Sequence, residues 1–403
     1  MRLLGILKND RLFVQDKDKL FVRNLNQCSS TFENYDLIKN RDISIGNGKT
    51  QGKGVFNFRY GPVSSGVGEA GIFNLYTYGE RILSVEVDPI YKKRNIEAQM
   101  VGKTPFEALK LAESVCGNFS FSHSLAFTTA LENQTGIELN KTVQRLRIIG
   151  LELERTYNHI HQIARLAKGA SQTVLTSHLE WIFEELLRTN KLLFGNRFLK
   201  HTNFLGSTTI NLHNLEKVKN RITQLKEKFE ELYEHALQSY NFIDRLYGVG
   251  RLERKKALNI GLTGPSLRAC GINEDLRQLN RLYENLKIAT RSEGDALARM
   301  EVRAEEFINS CEIILSQIEK IDNEPQKEEI PINDGDYLGY SCSPTGIIAY
   351  YLEIRKGLID YVYISTPSVF GFRAFAEAIT GYIFTDFSFI FDSFGINFAD
   401  CAR

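Results

Sequence analysis

Cys116-Gly117-Asn118-Phe119 sits within a run, Ser114–His123, that has the outline of a metal-binding loop with one ligand missing. A Cys-x-x-Cys pair presents two thiolates to one soft metal from a single turn. Phe119 holds the second position here, and a phenyl ring ligates nothing. Cys116 is either a leftover thiol or a reactive group. Its position after a helix gives no strong reason for a lowered pKa. His159 and His161 are two apart on a helical stretch, so they face different ways and cannot chelate one metal together. Gly66 and Gly68 form a Gly-x-Gly that precedes no helix, which is not a dinucleotide fingerprint.

The elements that must position these residues follow from periodicity. Residues 1–90 alternate β-branched or aromatic runs with glycine turns: Val55–Tyr60, Ile72–Tyr78 and Ile82–Val87 predict a β-meander. At Thr104 the period changes. Thr104-Pro105-Phe106-Glu107 is a capping box with proline at the first helical position, and the helix it opens leads to Cys116. Residues 141–168 carry Leu146, Ile149, Leu153, Tyr157, Ile160 and Ile163 at core spacing. Residues 174–200, 212–247 and 293–320 predict further helices, with the Lys- and Glu-rich 212–247 stretch on the outside. A solvated loop at Glu324–Pro331 precedes a second small β region over Tyr337–Ser341, Ile347–Ile354 and Leu358–Ile364. An aromatic tail, Ile383–Phe398, reads as core and subunit contact.

The expected class is α+β, a central helical bundle flanked by small β regions. The division is an N-terminal extension (1–50) and one domain (51–403) made of β 51–90, helical core 104–320, and a β and ligand-motif tail 335–403. Lys+Arg 50 against Asp+Glu 49 gives no electrostatic case for nucleic acid or an anionic membrane. The basic runs Lys92–Arg94 and Arg254–Lys256 are too short to change that. The 6 cysteines (28, 116, 270, 311, 342 and 401) are scattered, and no signal peptide opens the chain, as in a reduced cytosolic protein. No run of about eighteen apolar residues spans a bilayer, so a membrane connection must come through a partner.

Several separate motifs together resemble the large subunit of energy-converting [NiFe] hydrogenases of the formate hydrogenlyase and hydrogenase-4 type, with the hydrogenase-like subunit of respiratory complex I (NADH–quinone oxidoreductase) as a cousin. Gly61-Pro62-Val63 with Gly79–Ile82 is similar to the family's opening hairpin, and Tyr91–Glu97 to its His-Arg-Gly-x-Glu segment. Leu111–Gly117 and His123–Ala126 match the first ligand loop. Glu154–His159 resembles the long-helix signature, and Arg291–Asp295 with Arg299 and Arg303–Glu306 the later acidic–arginine helix. Ser343–Gly346 and Ser393–Arg403 match the two C-terminal motifs in position.

The resemblance places the four metal-holding cysteines of active hydrogenases at Cys116, Phe119, Asn397 and Asp400, so one of the four is a cysteine here. The arginine over the metal becomes Thr345. One thiolate with an amide and a carboxylate suits a soft NiFe centre poorly, so no metal is assigned to this chain. The quinone-reducing histidine and tyrosine of complex I fall at Ser64 and Gly117, and its cluster-tuning histidine at Leu166. Glu97 and Arg94 stand where the family handles protons, either in that role or as a structural pair. Asp400 extends a proton path or pairs with Arg403 or Arg94, and His123 is a hydrogen-bonded core histidine or supports the site. The resemblance implies a cavity between Cys116, Glu97, Asn397 and Asp400. It also implies a small iron–sulfur subunit carrying the cluster, and membrane-embedded ion-translocating subunits at the cytoplasmic face. The implied function is the large subunit of a complex I-related oxidoreductase that couples electron transfer to ion translocation with its NiFe centre lost. The alternatives are a non-catalytic bridging subunit and a quinone-reducing NADH dehydrogenase subunit.

Overall fold

The glycine-punctuated runs of the first ninety residues fold as antiparallel ladders in the computed structural model, which describes residues 1–8, 11–17, 19–24, 45–64, 67–321 and 323–403. Cys28, Gly66 and residues 25–44 of the expected N-terminal extension lie outside the described residues. One sheet is β1 (Arg2–Leu7), β2 (Arg11–Asp16) and β3 (Lys19–Asn24), in that order. A second orders β4 (Ile45–Gly46), β5 (Phe56–Tyr60), β6 (Ile72–Tyr78) and β7 (Arg81–Asp88) as β4-β7-β6-β5. Helices α1 (Ile96–Met100), α2 (Pro105–Ala112), α3 (Ser120–Asn133), α4 (Lys141–Gly169) and α5 (Thr173–Phe194) follow. After the short hairpin β8 (Asn203–Phe204) and β9 (Ser207–Thr208) come α6 (Leu215–Gln238), α7 (Tyr240–Asp244), α8 (Arg254–Ile260), α9 (Pro265–Arg268) and α10 (Ala296–Ile318). The last part is the sheet β10 (Gly335–Ser343), β11 (Gly346–Arg355) and β12 (Leu358–Ser365), then α11 (Pro367–Ile379), α12 (Phe387–Phe394) and α13 (Phe398–Cys401).

The α+β expectation holds. Helices α4, α5, α6 and α10 pack as the central bundle around Leu146, Ile149, Leu153, Ile160, Phe229 and Phe307. Only one face of the charged α6 is buried (Val218, Ile222, Leu225, Phe229), which matches its outer placement. The Thr104 capping box forms with both of its reciprocal bonds.

In the expected second β region the central strand β11 is buried on both faces. Ile348, Tyr350, Leu352 and Ile354 of β11 face α3, while Ala349 and Tyr351 face Leu4, Leu7 and Phe13 of the N-terminal sheet. Successive strand residues point to opposite faces, so a strand covered on both sides shows no polar alternation. Strands β1–β3 thus close the outer face of the C-terminal sheet. The aromatic tail is core: the Phe73 ring meets Phe375, Phe387, Phe391 and Phe398 edge-on at 5.0–5.8 Å. No helix among the described residues is long and apolar enough to cross a membrane.

Candidate functional site

Three segments distant in sequence meet at the start of α3: the loop Cys116–Phe119, the tail Gly395–Arg403, and the hairpin that ends at Gly71. Gly71 is a glycine because the Phe398 ring lies where a Cβ would stand, 1.9 Å from its nearest atom. Arg94 clips loop to tail. Its guanidinium donates to the carbonyls of Ser114, Val115 and Ala399, and its amide to the Ala402 carbonyl at 2.9 Å. The Asn118 side chain donates to Asn397 Oδ1 at 2.9 Å.

The helix signature Glu154–His159 explains how the bundle holds this junction. Glu154, fully buried, accepts from the amides of Phe121 (2.8 Å) and Ser122 (3.1 Å) and from the Ser122 hydroxyl, satisfying otherwise orphaned donors in the first turn of α3. Tyr157 and Asn158 both donate to the Asn118 carbonyl, at 3.0 and 2.9 Å. Arg155 reaches the carbonyls of Cys342 and Ser343 on β10, and His159 binds Glu306 Oε2 at 2.7 Å. From α10, Arg299 donates to Ser393 Oγ (2.9 Å) and Arg303 to the Phe394 carbonyl (2.8 Å), which fixes the approach to the tail.

The four expected ligand positions do converge, with chemistry changed at all but the first. Cys116 and Phe119 are buried in the cluster of Ala112, Ala126, Ile348 and Tyr350. Burial, then the nearby Asp400 and Glu69 carboxylates, holds the Cys116 thiol well above its ordinary pKa. His123 is sandwiched, Nδ1 2.9 Å from the Tyr350 hydroxyl and Nε2 3.1 Å from Asp400 Oδ1. Burial lowers the His123 pKa, so the ring is neutral; it accepts from the Tyr350 hydroxyl and donates from Nε2 to Asp400. The other Asp400 oxygen accepts from the Ser368 amide at 3.3 Å. A soft metal needs free thiolates. This set offers one sulfur donor, a phenyl ring, an amide oxygen bonded to Asn118 and a carboxylate bonded to His123, and a single sulfur does not fit a nickel–iron cluster. Among the described residues no group of three or more His, Cys, Asp or Glu is placed to hold a metal ion.

Of the residues expected to bound one cavity, Cys116 is buried in the core cluster that also holds Phe119, while Glu97 and Asn397 line separate spaces. A cavity of about 190 Å³ lies instead on the outer side of Asn397, walled by Gly68, Glu69, Asn118, His161 and Arg165. Ser64 does not line it; Val67–Glu69, further along the same hairpin, do. Glu97 faces a separate small recess, accepting from the Ile364 amide (2.9 Å) and Arg403 Nε (3.3 Å), and it forms an ion pair with Arg403, while the Arg94 guanidinium is taken by backbone carbonyls. Thr345 stands at the β10–β11 turn, its methyl 3.4 Å from where a Cβ on Gly395 would be.

Glu69 and Tyr350 were not singled out by the motifs. Glu69 accepts from the Ala399 amide at 2.7 Å, and burial raises its pKa. His161 is brought down to about 4 by burial, and its ring lies tilted against that of Phe183, 5.2 Å away. A Gly-Glu beside a glycine-rich turn was the only available signal for Glu69; Tyr350 is one tyrosine among several on a strand and carried none.

The family described as "Respiratory-chain NADH dehydrogenase, 49 Kd subunit" matches residues 174–333. Among relatives, the membrane-bound hydrogenase subunit alpha of Pyrococcus furiosus is 27% identical over 74% of this chain and 75% of its own length. An NADH-quinone oxidoreductase subunit of Clostridium beijerinckii is 27% identical over 75% of this chain and 85% of its own. The formate hydrogenlyase subunit 5 of Escherichia coli is 27% identical over 76% of this chain and 53% of its own. In structure, a chain of the membrane-bound sulfane sulfur reductase, an archaeal respiratory membrane complex, superposes with a TM-score of 0.81 at 21% identity, covering 88% of this chain and 100% of that one. The resemblance drawn from the motifs stands: this chain is related to the hydrogenase-like large subunits of complex I-related membrane complexes.

Proposed function

We propose that this chain is the large subunit of a membrane-associated, complex I-related oxidoreductase, coupling electron transfer to ion translocation without a nickel–iron centre. The observation that carries the reading is the junction of loop and tail. The segments that hold metal in active relatives still meet, yet their donor atoms are engaged with one another through Asn118–Asn397 and His123–Asp400. A small iron–sulfur subunit bound against this chain supplies electrons, and membrane-embedded subunits move the ions at the cytoplasmic face. An acceptor meets the electrons in the cavity at Asn397. Glu69 on its wall keeps a proton more readily than an exposed carboxyl, and the Tyr350–His123–Asp400 chain beneath holds exchangeable protons. The test is purification of the native complex from membranes, with subunit and metal analysis. Iron with nickel far below one atom per complex is the expected result. Stoichiometric nickel sinks the lost centre, and recovery of the chain as a free monomer sinks the complex.

A further inference from the structure

Four segments distant in sequence bring exposed aromatic and basic side chains to one surface: the edge strand β5, the β6–β7 turn, the loop between α7 and α8, and the turn after α11. Their contacts tie them together. Phe384 meets the Phe58 and Tyr60 rings of β5 edge-on at 5.2 and 5.5 Å, and its amide donates to the Glu80 carbonyl at 3.2 Å. Tyr78 covers Gly54, where a Cβ would stand 2.8 Å from its ring. Arg81 and Ile383 pair as an antiparallel bridge. The Tyr382 hydroxyl donates to the Gly248 carbonyl at 2.7 Å and accepts from the Arg251 amide at 3.3 Å.

Phe56 (63% exposed), Tyr78 (62%) and Tyr247 (67%) stand mostly in solvent, with Ile383 exposed between them. Around β5 and the β6–β7 turn the exposed charges are Lys53, Arg59 and Arg81 against Glu80. Around the loop they are Arg245, Arg251, Arg254 and Lys255 against Asp244 and Glu253, with Asp386 half-buried nearby. Lys256 is taken by Glu377 at 2.9 Å, but none of the other cations named here forms an ion pair among the described residues. Positive charge thus gathers on one surface of a chain whose overall charge is only +1. Exposed rings of this number mark a contact surface. Tyrosine and phenylalanine spaced among unpaired arginines and lysines suit a headgroup layer, where the rings enter the boundary and the cations meet lipid phosphates. Lys53 and Arg59, flanking the open edge of β5, discourage the addition of a protein strand there.

We propose that this surface lies directly on the anionic headgroup layer of a membrane, anchored by Phe56, Tyr78, Tyr247 and Ile383. This contact goes beyond the partner-mediated attachment above, which stands whether or not the chain itself touches lipid. The test sediments the full chain with vesicles of equal parts phosphatidylcholine and phosphatidylglycerol, and with phosphatidylcholine alone. Binding is expected to the anionic vesicles only, and to weaken as salt rises. Arg81→Glu with Arg251→Glu should weaken it at least about tenfold. Lys92→Glu with Lys93→Glu makes the same change in net charge beyond the opposite end of β7, whose 8 residues span roughly 25 Å, and should leave binding intact. Phe56→Ser with Tyr247→Ser removes two exposed rings without touching the core or the charge, and should also weaken binding. A chain that ignores anionic vesicles overturns the proposal and leaves the surface to a protein partner. So do two charge reversals that act alike, or an aromatic pair whose loss leaves binding intact.

Discussion

Replacing Glu154 with glutamine should change how stability depends on pH, by an amount that follows from its burial. The wild-type carboxyl is fully buried, and burial carries its pKa from 4.5 up to about 8. The Phe121 and Ser122 donors and the Arg155 charge oppose that rise without cancelling it. A raised carboxyl pKa means that between about 4.5 and 8 the folded chain keeps a proton the unfolded chain has released. Its contribution is therefore complete below the unfolded value and is lost as pH rises through this window. At about 1.36 kcal/mol per unit, the full span is roughly 5 kcal/mol, of which about 3 kcal/mol falls between pH 5 and 7.5. Glutamine is neutral throughout, and its amide oxygen can still accept from the start of α3. The stability of wild type relative to Glu154→Gln should thus fall by about 3 kcal/mol from pH 5 to pH 7.5 in urea titrations followed by circular dichroism. A difference that is flat, or that grows with pH, would show that the α3 donors keep Glu154 ionised and that burial does not dominate.

Two further outcomes are expected. Cys116, buried with its thiol pKa raised, should resist iodoacetamide in the folded chain at pH 7.5 and react after unfolding, as read by peptide mass spectrometry; rapid labelling of the native chain would contradict the dry setting. Gly71→Ala should cost about 1–3 kcal/mol or more, because the new Cβ meets a Phe398 ring held between Phe73 and Phe372, and an unchanged melting profile would mean that the tail can move aside.

Local patterns in this chain settled the helices, since those depend on residues close in sequence. The Thr104 box, the period of Lys141–Gly169 and the strands around Ile72 and Ile347 each appear where their patterns place them. The motifs also brought Cys116, Phe119, Asn397 and Asp400 to one place, because a shared fold carries matched positions with it. Which atoms then bond was decided only in three dimensions. That Arg94 would hold the Ala399 carbonyl as well as those of Ser114 and Val115, and that Glu97 would meet Arg403, depends on a tail some three hundred residues further along the chain. That His123 would sit between Tyr350 and Asp400 depends on the face of β11 turned toward α3, a face hidden in the sequence because both sides of that strand are covered. Phe119 is the clearest instance. As a letter it shows only that a ligand is missing; in three dimensions it is a fully buried ring in the same core cluster as Cys116, while open space lies beside Asn397.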